Sequence, residues 1–214
     1  IRRYHSIVIV SLPRPPLLII TDLPKPPWTV EGIVKIALEA GCRWIMYRDK
    51  TASIELFKQT AATLVGLCNK YNAKVCINER IEVAEGLVGT GVHLQSSYNI
   101  ASAKGRLCPS ALIGVSCHSI SEAQQAENLG ADYVTFSPVF ETLSKPGYGP
   151  LVGLEGLRYA SQRLTIPIIA LAGINSSNAS QCMESGARGI AVMGGVMRSS
   201  SPRNEVTALV SVTK

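Results

Sequence analysis

The chain has 214 residues, 46% hydrophobic and 17% charged, which suits one domain with its own core and excludes a disordered segment. Aromatic residues make up 6% and the Lys and Arg residues form no basic tract, which argues against a nucleic-acid stacking platform. The formal net charge of +6 provides a mild positive field that favours an anionic substrate by steering it to the site.

Residues 1–16 form an N-terminal extension, basic and then apolar from Ile1 to Val10, expected to cover the bottom of the domain that follows. Its apolar part is too short for a secretory signal and is broken by Pro13, Pro15 and Pro16. No apolar run reaches membrane-spanning length, so the expectation is a cytoplasmic chain that binds no membrane. Cys42, Cys68, Cys76, Cys108, Cys117 and Cys182 form no C-x-x-C pair, and read as reduced thiols used as small hydrophobes.

From Leu17 onward, short apolar runs alternate with amphipathic segments. Strands are predicted at Leu17–Thr21, Trp44–Tyr47, Lys74–Ile77, Gly91–Leu94, Leu112–Val115, Tyr133–Phe136, Pro167–Ala170 and Gly189–Val192. Helices are predicted at Val30–Ala40, Ile54–Lys70, Ser119–Leu129, Ser176–Ser185 and Asn204–Val212, with Ser119 and Glu122 spaced as a capping box. Alternation that continues past five or six units selects an α/β fold with a single (β/α)8 TIM barrel over residues 17–214, rather than a doubly wound sheet.

In such barrels the strand C-termini face the active site, which selects a few positions. The second strand delivers Arg48, Asp49 and Lys50, the third Asn78 and Glu79, and the fifth Ser116 and His118. The sixth runs into a loop from Ser137 to Lys145 that is long enough for a lid. Gly173 and Asn175 follow the seventh strand, and Gly194 and Gly195 the eighth. Paired glycine turns there match the common barrel phosphate site, where backbone N–H groups approach the ligand closely. Arg48 and Lys50 alternate along one strand end and suit a carboxylate or phosphate. His118 stands where a helix begins, which disfavours imidazolium and leaves a neutral ring suited to proton transfer. His93 lies inside a strand and is expected to be packed.

Several segments carry a resemblance to a known family: Tyr47-Arg48-Asp49-Lys50, Ile77-Asn78-Glu79-Arg80, Gly91-Val92-His93-Leu94, Gly114-Val115-Ser116-Cys117-His118-Ser119, Val139-Phe140-Glu141-Thr142 and Ala172-Gly173-Ile174. In order and barrel position they resemble the thiamine phosphate synthase and TenI superfamily, over nearly the whole chain from Leu17. The resemblance implies a role in thiamine biosynthesis with a small phosphorylated thiazole substrate, no nucleic acid, and a fold that often forms homodimers. Synthases of this superfamily join a hydroxymethylpyrimidine diphosphate to a thiazole phosphate with Mg2+. TenI-type thiazole tautomerases aromatise a thiazole carboxylate phosphate without metal.

Four departures from the synthase pattern point toward TenI. Met46 replaces the glutamine that recognises the pyrimidine, and Glu79 replaces an aspartate. Gln95-Ser96-Ser97-Tyr98 replaces a segment with a metal-ligating carboxylate, and Glu141-Thr142-Leu143-Ser144-Lys145 replaces Pro-Thr-x-Thr-Lys. The expectation from sequence is a thiazole tautomerase, an isomerase, with His118 as acid–base group and no metal or cofactor. Gly173, Asn175, Gly194 and Gly195 would hold the phosphate, Arg48 with Lys50 the carboxylate, and Asn78, Ser137 and Lys145 would line the site. Two alternatives stay open: a Mg2+-dependent synthase, which is a transferase, and a non-catalytic protein that binds a phosphorylated ligand.

Overall fold

A computed structural model describes residues 11–142, 146–147 and 149–214. Eight parallel strands close into a barrel in sequence order: β1 Leu17–Ile20, β2 Trp44–Tyr47, β3 Lys74–Asn78, β4 Gly91–Leu94, β5 Ile113–Cys117, β6 Tyr133–Phe136, β7 Ile168–Leu171 and β8 Gly189–Val192. Closure comes from β1 pairing with β8, in the register Leu18 with Ala191. Among the described residues the helices are α1 Val30–Glu39, α2 Ile54–Asn69, α3 Ile81–Glu85, α4 Ile100–Arg106, α5 Ile120–Asn128, α6 Gly153–Ser161, α7 Ala179–Glu184, α8 Gly194–Met197 and α9 Pro202–Val212. None is long and apolar enough to cross a membrane.

The strands are apolar along their whole length because each has two buried faces. Side chains alternate across the sheet. Ile19, Ile45, Ile77, Val92, Val115, Val134, Ala170 and Val192 point outward into one core shared with the helices. Leu18, Ile20, Trp44, Met46, Cys76, Tyr133, Ile169 and Ala191 point inward and form a second core inside the barrel. Trp44 and Tyr133 dominate that interior, fully buried and edge to face with ring centroids 4.8 Å apart. Tyr133 fits because the neighbouring strand β5 carries no side chain at Gly114. A Cβ on Gly114 would run into the Tyr133 ring, and one on Gly91 into the Leu112 carbonyl.

Caps set the longer helices. Thr29 Oγ1 accepts from Gly32 N at 3.0 Å and Ser53 Oγ from Leu56 N at 3.2 Å. Ser119 caps α5 through Glu122 N at 3.2 Å, as its spacing predicts. The reciprocal half of that box is displaced by one residue, since Glu122 Oε2 accepts from His118 N at 2.7 Å. The predicted start of the seventh helix at Ser176 moves to Ala179, because side-chain bonds occupy the turn. Asn175 Oδ1 accepts from Ser177 N at 2.9 Å, and Asn178 Oδ1 accepts from Asn175 N at 2.9 Å. β5 extends to Cys117 because Ser116 and Cys117 continue the ladder opposite Thr135 and Phe136.

Outside the barrel, the residues just before β1 follow the N-terminal ends of the strands. Pro16 O accepts from Ile190 N at 3.0 Å, and Leu12 packs against the inner core. Overfilling the interior is expected to be costly. Gly114→Ala should lower the unfolding free energy by about 1–3 kcal/mol in a denaturant titration, and an unchanged midpoint would contradict the crossing of Tyr133 beneath β5.

Candidate active site

The C-terminal ends of the strands form a mouth whose floor has two chemically different halves. On β1, β2, β7 and β8 the inner core is topped by Ile20, Met46, Leu171 and Met193. On β3 to β6 the floor is polar, with Asn78, His93, Ser116 and Thr135 in the inward-facing positions of the alternation.

His93 is the hub of the polar half. It is 2% exposed; its Nδ1 lies 3.0 Å from Tyr133 Oη and its Nε2 3.0 Å from Ser116 Oγ and 3.3 Å from Thr135 Oγ1. Burial without a nearby carboxylate disfavours the imidazolium and pushes the ring down to about 3, so it is neutral under ordinary conditions. The sequence anticipates a packed His93. It does not foresee that the packing joins Tyr133, deep in the barrel, to Ser116, which is half-exposed at the mouth.

The rim over β1 and β2 is cationic. Thr21 pins the end of β2 by donating Oγ1 to Arg48 O and accepting from Arg48 N, both at 2.9 Å. That fixes Arg48, whose Nη1 lies 3.6 Å from Asp22 Oδ1, while Asp22 Oδ2 meets Arg198 Nη1 at 2.5 Å. Two guanidinium groups thus share one carboxylate, and the Arg198 guanidinium lies over Gly194, where a Cβ would collide with it. Lys50 is exposed beside them and, with Asp22, Arg48 and Thr51, lines a cavity of about 110 Å³. Asp49 points its chemistry elsewhere. Burial pushes its carboxyl up, but hydrogen bonds from Thr51 and Ala52 outweigh this and hold it below its ordinary value.

At the end of β3, Asn78 is half-buried and Glu79 is exposed, with Glu79 Oε2 3.5 Å from Asn78 Nδ2. Glu79 adopts φ 61, a left-handed conformation that costs a non-glycine residue of order 1 kcal/mol and is held by Glu79 N donating to His93 O at 2.9 Å. Arg80 stacks on Phe57 at 4.1 Å and keeps a buried Nη1 without a hydrogen-bond partner among the described residues. Among the described residues no three His, Cys, Asp or Glu side chains gather as a ready-made metal site.

His118 and Ser137 come together at the ends of β5 and β6. His118 Nδ1 lies 2.9 Å from Ser137 O and 3.2 Å from Ser137 Oγ. A carbonyl only accepts, so Nδ1 carries a proton. The glycine turns divide in role. Gly173 has φ 66 and lies under the β6 loop, so that a Cβ would strike Phe140 and the Glu141 carbonyl. Asn175 has its N–H committed to Asn178 Oδ1. Gly194 and Gly195 open the first turn of α8, whose N–H groups have no partner within the helix, and a Cβ on Gly195 would meet open space. Lys145 lies outside the described residues. A larger cavity of about 290 Å³ sits at the opposite end of the barrel, around Ile166 and Arg188, away from all these residues.

A family model described as thiamine monophosphate synthase matches residues 17–196. The chain belongs to the thiamine monophosphate synthase family. It is 38% identical over 187 residues to the thiamine-phosphate synthase of Chloroflexus aurantiacus, covering 86% of each chain. It is 37% identical over 206 residues to the thiamine-phosphate synthase of Chlorobium luteolum, covering 95% of each. Among solved structures, a thiamine phosphate pyrophosphorylase from Pyrococcus furiosus superposes with a TM-score of 0.81 at 36% identity, covering 92% of this chain and 94% of that one.

These relatives overturn the tautomerase expectation and its isomerase class. Four local departures outweigh neither the near-complete match nor the chemistry left at those positions. Glu79 still puts a carboxylate at the end of β3, and Met46 is 2% exposed within the inner core, where volume matters as well as hydrogen bonding. The His118–Ser137 contact orients a ring but does not choose a reaction. Asp22 and Arg198 complete the mouth and went unselected in sequence, and so did the contact that joins His93 to Ser116. Asp22 and Arg198 are 176 residues apart, and only barrel closure brings them together.

The neutral His93 leaves a signature in stability. Its folded value near 3 lies below the ordinary 6.5, so between these limits the unfolded chain binds a proton that the folded one refuses. Stability should therefore be fully present above about pH 6.5 and fall on acidification, by up to about 1.4 kcal/mol per pH unit from this group. His93→Gln should flatten the slope between pH 6 and 4.5 by close to one proton, and equal slopes would remove His93 as its source.

Proposed function

We propose that this protein is a thiamine-phosphate synthase, a transferase that joins a hydroxymethylpyrimidine diphosphate to a thiazole phosphate with release of diphosphate. The match along nearly the whole length to relatives of that name carries the proposal, and the geometry of the mouth supports it. Such a reaction brings two anionic substrates together. The mouth has cations on one side, at Arg48, Lys50 and Arg198, and the first-turn N–H groups of Gly194 and Gly195 beside them.

The apolar half of the floor suits a substrate ring. Ile20, Met46, Leu171 and Met193 would receive it by packing, with a polarisable sulfur against an aromatic face. The polar half would hold oxygen atoms through Ser116 and Asn78. His118 is oriented by Ser137 at the rim.

Magnesium is usually held by one or two carboxylates plus substrate phosphates, with water completing the octahedron. Glu79 and Asn78 fit that requirement as the protein's share. The metal would neutralise charge on the diphosphate. These residues need the substrate to complete the site, consistent with the lack of a ready-made carboxylate cluster among the described residues.

Purified protein given both substrates and Mg2+ should form thiamine phosphate. Arg48→Ala should lower kcat/KM by about 10- to 100-fold, the scale of a lost hydrogen bond to a charged group. Glu79→Gln should raise the Mg2+ concentration for half-maximal rate about tenfold or more. Absence of thiamine phosphate from a folded protein that binds both substrates would sink the assignment.

A further inference from the structure

The polar half of the floor contains a chain of contacts with a direction. Trp44 Nε1 can only donate, and it lies 3.3 Å from Cys76 Sγ, so the sulfur accepts there. Tyr133 has one proton and two groups in reach, His93 Nδ1 at 3.0 Å and Cys76 Sγ at 3.7 Å. An imidazole nitrogen at ordinary hydrogen-bond length is a far better acceptor than a thiol sulfur that already accepts from an indole. The Tyr133 proton therefore goes to Nδ1. A neutral ring that accepts at Nδ1 carries its proton on Nε2, which then donates to Ser116 Oγ at 3.0 Å, with Thr135 Oγ1 the more distant acceptor at 3.3 Å.

We propose that His93 is a positioning residue: it donates to Ser116 Oγ from inside the barrel and so commits the Ser116 proton to an acceptor in the mouth, a diphosphate oxygen of the substrate. A serine hydroxyl has one proton and rotates to suit its surroundings. With an acceptor site filled from below, its O–H has to turn elsewhere, and Ser116 is the half-exposed member of the network. Everything beneath it is fixed. Tyr133 is fully buried and wedged under Gly114, and His93 packs on it with ring centroids 5.5 Å apart. The hydroxyl is thus preorganised as a donor, which avoids reorientation when an anion binds.

The inference rests on the proposed binding of a diphosphate-bearing substrate at this mouth, and its test separates the two. A two-bond 1H–15N spectrum of the whole protein should show His93 neutral, with Nε2 protonated and Nδ1 bare; the opposite tautomer overturns the proposal. Calorimetric titration with inorganic pyrophosphate should show about tenfold weaker binding for Ser116→Ala and for His93→Leu, and no further loss when both are combined. Losses that multiply, or no pyrophosphate binding by the wild type, overturn it. His93→Gln keeps an N–H near the Nε2 position and should recover most of the loss, which a purely space-filling role would not predict. If His93→Leu does not fold, the wild-type tautomer and the Gln variant decide. Tautomer and coupling intact in a protein that makes no thiamine phosphate would uphold His93 and sink the synthase assignment alone.

Discussion

A barrel of eight short strands must fill its own interior before it can offer a mouth, and Trp44 and Tyr133 do most of that filling. Tyr133 needs the bare backbone at Gly114, so two large residues and one small one on three strands act as one unit. The unit also carries polarity. Tyr133 and Trp44 each bring a hydrogen-bonding group that has to be satisfied away from water, and burying one without a partner costs about 1–3 kcal/mol. Cys76 and His93 supply the partners, and Ser116 and Thr135 satisfy His93 in turn.

That requirement divides the floor of the mouth. The partners lie on β3 to β6, whereas β1, β2, β7 and β8 end inside in Ile20, Met46, Leu171 and Met193, although β2 itself carries Trp44. The polar side ends in groups that can address oxygen atoms. The rim repeats the division for another reason. Asp22 lies between Arg48 and Arg198, which keeps two like charges close without their full repulsion and leaves a net positive cluster beside the α8 turn. An incoming anion can draw either guanidinium without leaving Asp22 unpaired.

Much of the fold was legible because strand alternation and apolar runs are local signals. Tyr133–Phe136 and Gly189–Val192 are predicted with the ends the structure gives them. Errors fall where side chains compete with the backbone, as at the Asn175–Asn178 turn that delays α7, or where the partner strand decides, as at Ser116 and Cys117. The strand-end rule also placed Arg48, Asn78, His118 and Ser137 at one mouth, and the contact of His118 with Ser137 agrees with that placement. Arg198 was hidden because it follows a strand end by several residues and meets Asp22, which lies at the other end of the chain. His93 was hidden by its burial. A buried histidine usually reads as packing, and nothing in sequence shows that its two nitrogens face different depths of the barrel.

The misassigned activity has a physical lesson of the same kind. A substitution such as glutamine to Met46 removes a specific hydrogen-bonding pair, which in isolation argues for a different substrate. Met46 lies among Ile20, Leu171 and Met193, however, so the site around it is apolar as a whole and internally consistent. Ring recognition by area and sulfur contact can replace recognition by an amide, at some cost in discrimination between ring substituents. Likewise Glu79 for aspartate lengthens a carboxylate by one methylene but keeps it at the end of β3, in a backbone conformation anchored to His93 O. Position on the barrel, more than residue identity, determines what a strand-end group can reach, and these substitutions leave the positions unchanged.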